Sequence, residues 1–414
     1  MSAGEGSTAA GTAGEGSAGA MSVEAPRLVT PAFVALAAAT LAFFISAGIV
    51  LPVAPRFARF ALDADAVGVG VAIGSFSIAA LLLRPLVGWS SDRFGRRPLL
   101  VGGSLVAVAA LALHLVANDL VLFIGARSLL GAAEGFFFVA ALAAASDIAP
   151  EARRGEALSF LSLSLYLGIA IGPPMAEALF AAGSYPVVWL AAMAVAGVAV
   201  ALSWFVPESA PAVLDRGRTR RPRGPLIHPA GLFPGLIILL GLWGMAGFLT
   251  YLPLYTPVVG IDGAGLPLTA YALIVVGLRI VGARWPDRFG AARLSGAALI
   301  LSAVGLAIIG FVPTPAGLMV GTATFASGVA FTMPALLSLA VSRVAPEERG
   351  SVVGTTTVFL DLVFGLAPVL LGVVADQAGY GPTFLVSAVF AAVASLLLVA
   401  RRGSLERPAV VTTE

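Results

Sequence analysis

The sequence predicts an all-α integral membrane protein of twelve transmembrane helices, built as two pseudo-symmetric six-helix bundles. Three observations carry that expectation. Residues of the AVILMFWYC set make up 59% of the 414-residue chain and charged residues 11%, against roughly 25% charged in a soluble domain; the mean hydropathy is +1.00. The apolar residues gather in repeated runs of about 20, the length that crosses a hydrocarbon core of about 30 Å. Finally, the tetrapeptide Asp-Arg-Phe-Gly occurs at Asp92 to Gly95 and again at Asp287 to Gly290, 195 positions on, each time after an apolar run. At the same offset Arg84 falls on Arg279, Arg154 on Arg349, Gly155 on Gly350 and Pro173 on Pro368, so the chain is an internal duplication.

Taken in order, residues 1–27 are a Gly/Ala/Ser/Thr/Glu tract without apolar periodicity, expected to be disordered. It lacks the basic start and short apolar core of a signal peptide, and Met21 is a second candidate start. The first bundle, 28–206, holds apolar runs near 31–54, 66–89, 98–117, 120–146, 157–182 and 186–206. The widest polar break, 207–231, carries Arg216, Arg218, Arg220, Arg221 and Arg223 and reads as the linker between halves. The second bundle, 232–402, repeats the pattern near 232–257, 266–285, 294–312, 316–342, 352–375 and 382–400, and 403–414 form a tail.

An inside amino terminus places Arg93, Arg96, Arg97, Arg153, Arg154, Arg288, Arg293, Arg343, Arg349, Arg401 and Arg402 on the cytoplasmic side. The outer loops then hold only Arg56 and Arg59. That asymmetry predicts a multi-pass protein of the plasma membrane with both termini cytoplasmic. It also accounts for the basic linker more simply than nucleic-acid binding does. Cysteine is absent, which excludes disulfides, thiol catalysis and cysteine metal sites. No loop outside the linker has room for an enzymatic insertion, so no catalysis, cofactor or metal is expected. The expected partners are the lipid bilayer, a small-molecule substrate and protons, with a monomer as the sufficient unit.

The first tetrapeptide lies within G-W-S-S-D-R-F-G-R-R, Gly88 to Arg97. This resembles the loop signature of the major facilitator superfamily, G-x-x-x-D-R-x-G-R-R/K between the second and third helices. The second copy is degraded, with Ala283, Ala291 and Ala292 at the corresponding positions. The resemblance covers residues 28–402 and implies two six-helix bundles related by an axis along the membrane normal, substrate at their interface, and alternating access. It implies a gating role for Gly88, Asp92, Arg93, Gly95, Arg96 and Arg97, and for Asp287, Arg288 and Gly290 in the second copy. Asp92 would face the start of the eleventh helix near Val352, and Arg96 would reach Asp147 or Glu151. Similarity to drug and metabolite efflux members implies proton-coupled export of small amphiphilic or carboxylated molecules. The alternatives are an uptake permease for an organic anion, and a ligand sensor on the same scaffold.

An ionisable side chain in hydrocarbon costs at least about 2.5 kcal/mol, so each one asks for a role. Arg84, Arg127, Arg279, Glu134, Glu177 and Asp361 qualify. Arg127 and Glu134 lie in R-S-L-L-G-A-A-E-G, which resembles the R-x-x-x-G motif of proton-coupled facilitators. Seven residues place them on one helix face roughly 10 Å apart, with Gly131 and Gly135 on the same stripe. A structural ion network is the alternative. Asp361 is a lone acid whose duplicate position holds Tyr166; a carboxylate alternating between wet and dry surroundings can load and release a proton, whereas a permanent salt bridge would only hold the fold. Asp361, Glu134 and Arg127 are therefore the proton-coupling candidates. Arg84, Arg279, Tyr166 and Glu177 are the substrate-binding candidates: facing arginines suit a carboxylate or phosphate, although each could instead snorkel or pair with a protein acid, and Glu177 lies near the outer end as an entrance or gate.

G-I-A-I-G-P-P, Gly168 to Pro174, is similar to an antiporter signature but lacks its last two glycines; Gly168, Gly172 and Pro173 are read as packing and kink residues. His114 reads as packed or pore-facing rather than as a metal ligand. Gly68, Gly70 and Gly74 read as helix-packing glycines, since no strand precedes them.

Overall fold

The computed structural model describes residues 28–150, 153–209, 227–282, 284–342, 344–345 and 348–405; it does not describe the side chains of Ser91, Asp92, Pro286, Asp287 and 402–405. Among the described residues every regular element is helical. The first half contains α1 (Pro31–Phe60), α2 (Ala66–Phe94), α3 (Arg96–Val116), α4 (Leu120–Ile148), α5 (Arg154–Ala182) and α6 (Tyr185–Trp204). The second contains α7 (Pro229–Gly241) and α8 (Trp243–Tyr255), which together form one span, then α9 (Gly265–Val281), the short α10 (Trp285–Phe289), α11 (Ala291–Phe311), α12 (Pro315–Val341), α13 (Arg349–Ala378) and α14 (Tyr380–Leu405). All twelve expected spans are present. Eleven are long and apolar enough to cross a membrane, and the twelfth, α9, is a shorter apolar helix. Most of the basic linker, residues 210–226, and the amino-terminal tract, 1–27, lie outside the described residues.

Local chemistry sets the helix starts. The side chains of Thr30, Asp65, Asp119 and Thr314 accept from the backbone N–H groups of Phe33, Gly68, Leu122 and Gly317, satisfying donors that the first turn leaves without partners. The repeated tetrapeptide acquires a structural reason at its last residue. Gly95 and Gly290 sit between consecutive helices with φ of +92° and +83°, a region in which a Cβ is strained. Both turns therefore need glycine, in the intact copy and the degraded one alike.

The duplication is visible in the packing. In the first bundle α1 packs on α5 and α6, α4 on α2 and α3, and α3 on α6. In the second, α7 packs on α13, α12 on α9 and α11, and α14 on α11 and the α7–α8 span, which is the same arrangement one repeat later. The bundles meet mainly along two seams, α2 with α13 and α5 with α9, which exchange under the pseudo-twofold. Glycines allow the close approaches. In α5, Gly168 and Gly172 lie against Phe44, Ile45 and Gly48 of α1, and Gly131 of α4 lies against the backbone of Phe76 in α2. Gly135 is looser, its nearest neighbours in α2 being 3.9 Å from an added Cβ. Gly70 and Gly74 of α2 lie on the backbone of Pro368 and Gly365 of α13, so these glycines do pack helices, and they do so between bundles. The α5 helix runs unbroken through Pro173 and Pro174. The first and last described residues, 28 and 405, share one face, here the terminal face, since an even number of spans separates them; the opposite face is the distal face.

Candidate functional site

The seams carry the intramembrane charges. On the first, Arg84 of α2 is ion-paired through Nε with the Asp361 carboxylate of α13, and its Nη1 donates to Thr357 Oγ1 at 3.0 Å. On the second, the guanidinium of Arg279 lies over the Tyr166 ring of α5, 4.1 Å from its centroid, and its Nε donates to the Ala330 carbonyl at 3.2 Å. These are symmetry-related contacts, because Arg84 maps onto Arg279 and Tyr166 onto Asp361 at the 195-position offset. One is an ion pair and the other a cation–π contact only because the acid of one repeat is a tyrosine in the other. Each arginine engages a residue of the opposite bundle.

Arg127 of α4 is buried, 8% exposed, and lies over the Phe76 ring at 5.0 Å. Its Nε has no hydrogen-bond partner, and no ion pair joins it to Glu134, as the seven-residue spacing implies. Glu134 borders a small cavity inside the first bundle with Phe43, Ser46, Phe76 and Leu130. The coupling candidates thus fall into two groups, Arg127 with Glu134 inside one bundle and Asp361 between bundles.

Toward the distal face, Glu177 of α5 is ion-paired with Arg56 of α1 at 3.1 Å and accepts from the backbone N–H of Ala264, at the start of α9, at 2.8 Å. Asp376 of α13 accepts from the N–H groups of Ala66 and Val67, at the start of α2, at 2.8 and 3.1 Å. Tyr251 of α8 donates within hydrogen-bond range of both the Ala66 and Pro368 carbonyls. The contacts of Glu177 with Ala264, Asp376 with Ala66 and Val67, and Tyr251 with Ala66 meet helix starts and cross between bundles, whereas Glu177 with Arg56 and Tyr251 with Pro368 stay within one. Asp376 and Tyr251 escaped the sequence reading. Asp376 falls one residue past the expected end of its span and reads as a loop acid, and a tyrosine in an apolar run, here with Tyr255 one turn on, carries no signal.

At the terminal face, Arg96 pairs with Asp147 at 3.1 Å, and its backbone N–H donates to Glu208 Oε1 at 2.8 Å. This fastens the start of α3 to α4 and to the segment after α6, within one bundle. The sequence foresaw Asp147 as a partner but not Glu208, which lies in the expected linker. Arg93 lies over Trp89, Arg97 over Trp204 and Arg288 over Phe289. Gly88 lies within α2. The expected contact of Asp92 with the start of α13 falls outside the described side chains, as do Asp287 and Glu151. His114 is packed: its Nδ1 meets the Ala110 carbonyl at 2.7 Å and its ring lies against Phe123 and Trp189.

Two bundles of repeated architecture, joined along seams that carry paired and stacked charges, define a polytopic membrane transporter. The family model of the Major Facilitator Superfamily matches residues 36–368 and 259–412. The chain belongs to that superfamily. It is 28% identical over 378 residues to an uncharacterised MFS-type transporter of Salmonella typhimurium, covering 88% of this chain and 95% of the relative. It is 29% identical over 361 residues to an uncharacterised MFS-type transporter of Burkholderia pseudomallei, covering 85% and 88%. Among solved structures, a variant of the nucleoside transporter NupG superposes with a TM-score of 0.74 at 12% identity, covering 91% of this chain and all of that one. The human organic anion transporter MFSD10 gives 0.69 at 19%, covering 90% and 100%. A bacterial homologue of the lysosomal transporter Spinster, in an inward-facing and occupied conformation, gives 0.75 at 14%, covering 90% and 96%. At these identities the likeness is one of fold.

Proposed function

We propose that this transporter is a proton-coupled exporter of small amphiphilic or carboxylated molecules, working by alternating access, with the terminal face toward the cytoplasm. The observation that carries the reading is the ion pair of Arg84 and Asp361 between bundles. A carboxylate held by an arginine of the opposite bundle changes its surroundings whenever the bundles rock, and this links its protonation to the direction the site faces. Protonation of Asp361 releases Arg84 and loosens one seam; deprotonation restores the pair. Glu134 and Arg127 form a second polar group inside the first bundle, where a proton can be held without crossing the seam. The helix ends joined by Glu177, Asp376 and Tyr251 support a state closed on the distal face and loaded from the terminal face. The arginine bias supports assigning that face to the cytoplasm.

Purified protein in liposomes under an imposed pH gradient tests this. Wild type is expected to concentrate substrate, whereas Asp361→Asn and Glu134→Gln retain downhill exchange and lose accumulation. If both neutral variants still concentrate substrate under the gradient, the proton is carried elsewhere and the coupling assignment fails.

A further inference from the structure

The duplication leaves its two seam arginines in unequal electrostatic states. Arg84 is neutralised by Asp361, whereas Arg279 meets the ring of Tyr166, because the acid has no counterpart in the first repeat. Arg279 uses Nε on the Ala330 carbonyl, and among the described residues no carboxylate pairs with it. A half-buried guanidinium in a membrane without a counter-charge is unfavourable and is poised for an anion. An independent observation lies on the same helix. Tyr271, two turns before Arg279 on α9, is 5% exposed, and its hydroxyl has no hydrogen-bond partner. A buried hydroxyl left in this way is costly unless a ligand completes it. Its ring packs with Phe248 and Phe325, an apolar aromatic wall beside the charge.

We propose that Arg279 and Tyr166 form an anion subsite that takes the single carboxylate of an amphiphilic solute, in the place that Asp361 fills on the other seam, with Tyr271 and its aromatic neighbours toward the body of the solute. One uncompensated cation selects a monoanion over a dianion, and the rings favour an aromatic or aliphatic body next to the carboxylate. Because Arg279 lies in the last turn of α9, the carboxylate is held in the terminal-face half of the seam, and Tyr271 lies nearer its middle. This deepens the export reading and rests on it for the identity of the cargo. An anionic lipid headgroup offers the same oxygen chemistry and is the competing occupant.

The test is equilibrium binding of 1-naphthoate and its uncharged analogue 1-naphthamide to the full-length protein in nanodiscs of phosphatidylcholine, measured by calorimetry. Wild type is expected to favour the carboxylate about tenfold or more, the scale of a charge-assisted hydrogen-bonded pair. Arg279→Gln abolishes that preference while leaving amide binding. Tyr166→Asp also abolishes it, by giving Arg279 the internal partner that Arg84 already has, and Tyr166→Phe keeps it. Should Arg279→Gln fail to fold, the two Tyr166 variants decide the matter. A preference that is absent in wild type, or unchanged in both Arg279→Gln and Tyr166→Asp, overturns the assignment. So does loss of the preference when phosphatidylglycerol is added to the nanodisc, which would give the site to a lipid headgroup. No gradient or flux enters this assay, so failed proton-driven accumulation with an intact carboxylate preference would overturn the coupling reading alone.

Discussion

Glu177 and Asp376 perform the same act in opposite bundles: each carboxylate binds the first backbone N–H groups of a helix belonging to the other bundle, α9 for Glu177 and α2 for Asp376. They are not strict duplicates, since the symmetry mate of Asp376 is Ala181, one turn beyond Glu177. The pseudo-twofold is thus kept in function and relaxed in position. A negative charge at a helix start is favoured by the exposed N–H donors and by the helix dipole.

Neutralising these two acids weakens the distal closure. Each contact is worth about 1 kcal/mol, so Glu177→Gln with Asp376→Asn shifts an open–closed equilibrium by roughly tenfold to thirtyfold. The chain has no cysteine, so a single Ala66→Cys or Ala264→Cys is the sole thiol. Both positions are now buried, at 3% and 0% exposed. The double variant is expected to raise their labelling by an impermeant maleimide added at the distal face; unchanged labelling would show that the acids do not hold that face shut.

Breaking the pair of Arg84 and Asp361 from one side leaves a lone charge in the seam. Arg84→Gln and Asp361→Asn are each expected to lower thermal stability in detergent, by less than the 3–5 kcal/mol or so of a fully buried pair, because Arg84 is partly exposed. The double neutral variant is expected to be more stable than at least one single variant. Additive losses in the double-mutant cycle would mean that the pair is not coupled.

The α1–α5 crossing is sensitive to volume. An added Cβ at Gly168 would meet the backbone of Phe44 at 2.6 Å, and Gly172 is packed as tightly on Gly48. Gly168→Val and Gly172→Val are expected to destabilise by about 1–3 kcal/mol or to cut the folded yield. Gly102→Ala meets nothing within 4 Å and serves as the tolerated control. Equal melting temperatures for all three variants would contradict close packing at this crossing.

Glu208 acts as a cap outside the helix it serves. Replacing it with Ala removes the acceptor for the Arg96 N–H and is expected to cost about 1 kcal/mol of stability, within the usual range for helix caps. A melting temperature unchanged by Glu208→Ala would show that water replaces the cap.

The spans were legible in the sequence because hydrocarbon thickness fixes their length, and the duplication because 195 positions separate matched residues on facing elements. The partners of the buried charges were not. An offset fixes how far along a helix Arg84 and Asp361 stand, but not their azimuth, so an ion pair, a stack or a shared anion were all consistent with the same string. The Arg96 and Asp147 contact was legible since both sit at helix ends that must meet. Glu208 was not, since acids in an apparent linker carry no periodicity. The break of the seventh span at Leu242 also escaped, because it follows Gly241 in a run that is otherwise uniformly apolar.

Along the seam of α2 and α13, Gly70 and Gly74 lie directly on the backbone of Pro368 and Gly365, while the Ile78 side chain seats on Gly365 and the Tyr251 hydroxyl reaches Gly70 and Gly372. A roll of one helix on the other would slide smoothly along the ridge at Gly70 and Gly74 but would have to lift the Ile78 side chain from Gly365. Resistance to such a roll is then set at isolated points, the ion pair, the Ile78 seat and the Asp376 contact, and the glycine ridge between them is a bearing. A methyl group added at Gly70 or Gly74 would meet the backbone of α13, at Pro368 or Gly365, and would jam that bearing by forcing the two helices apart.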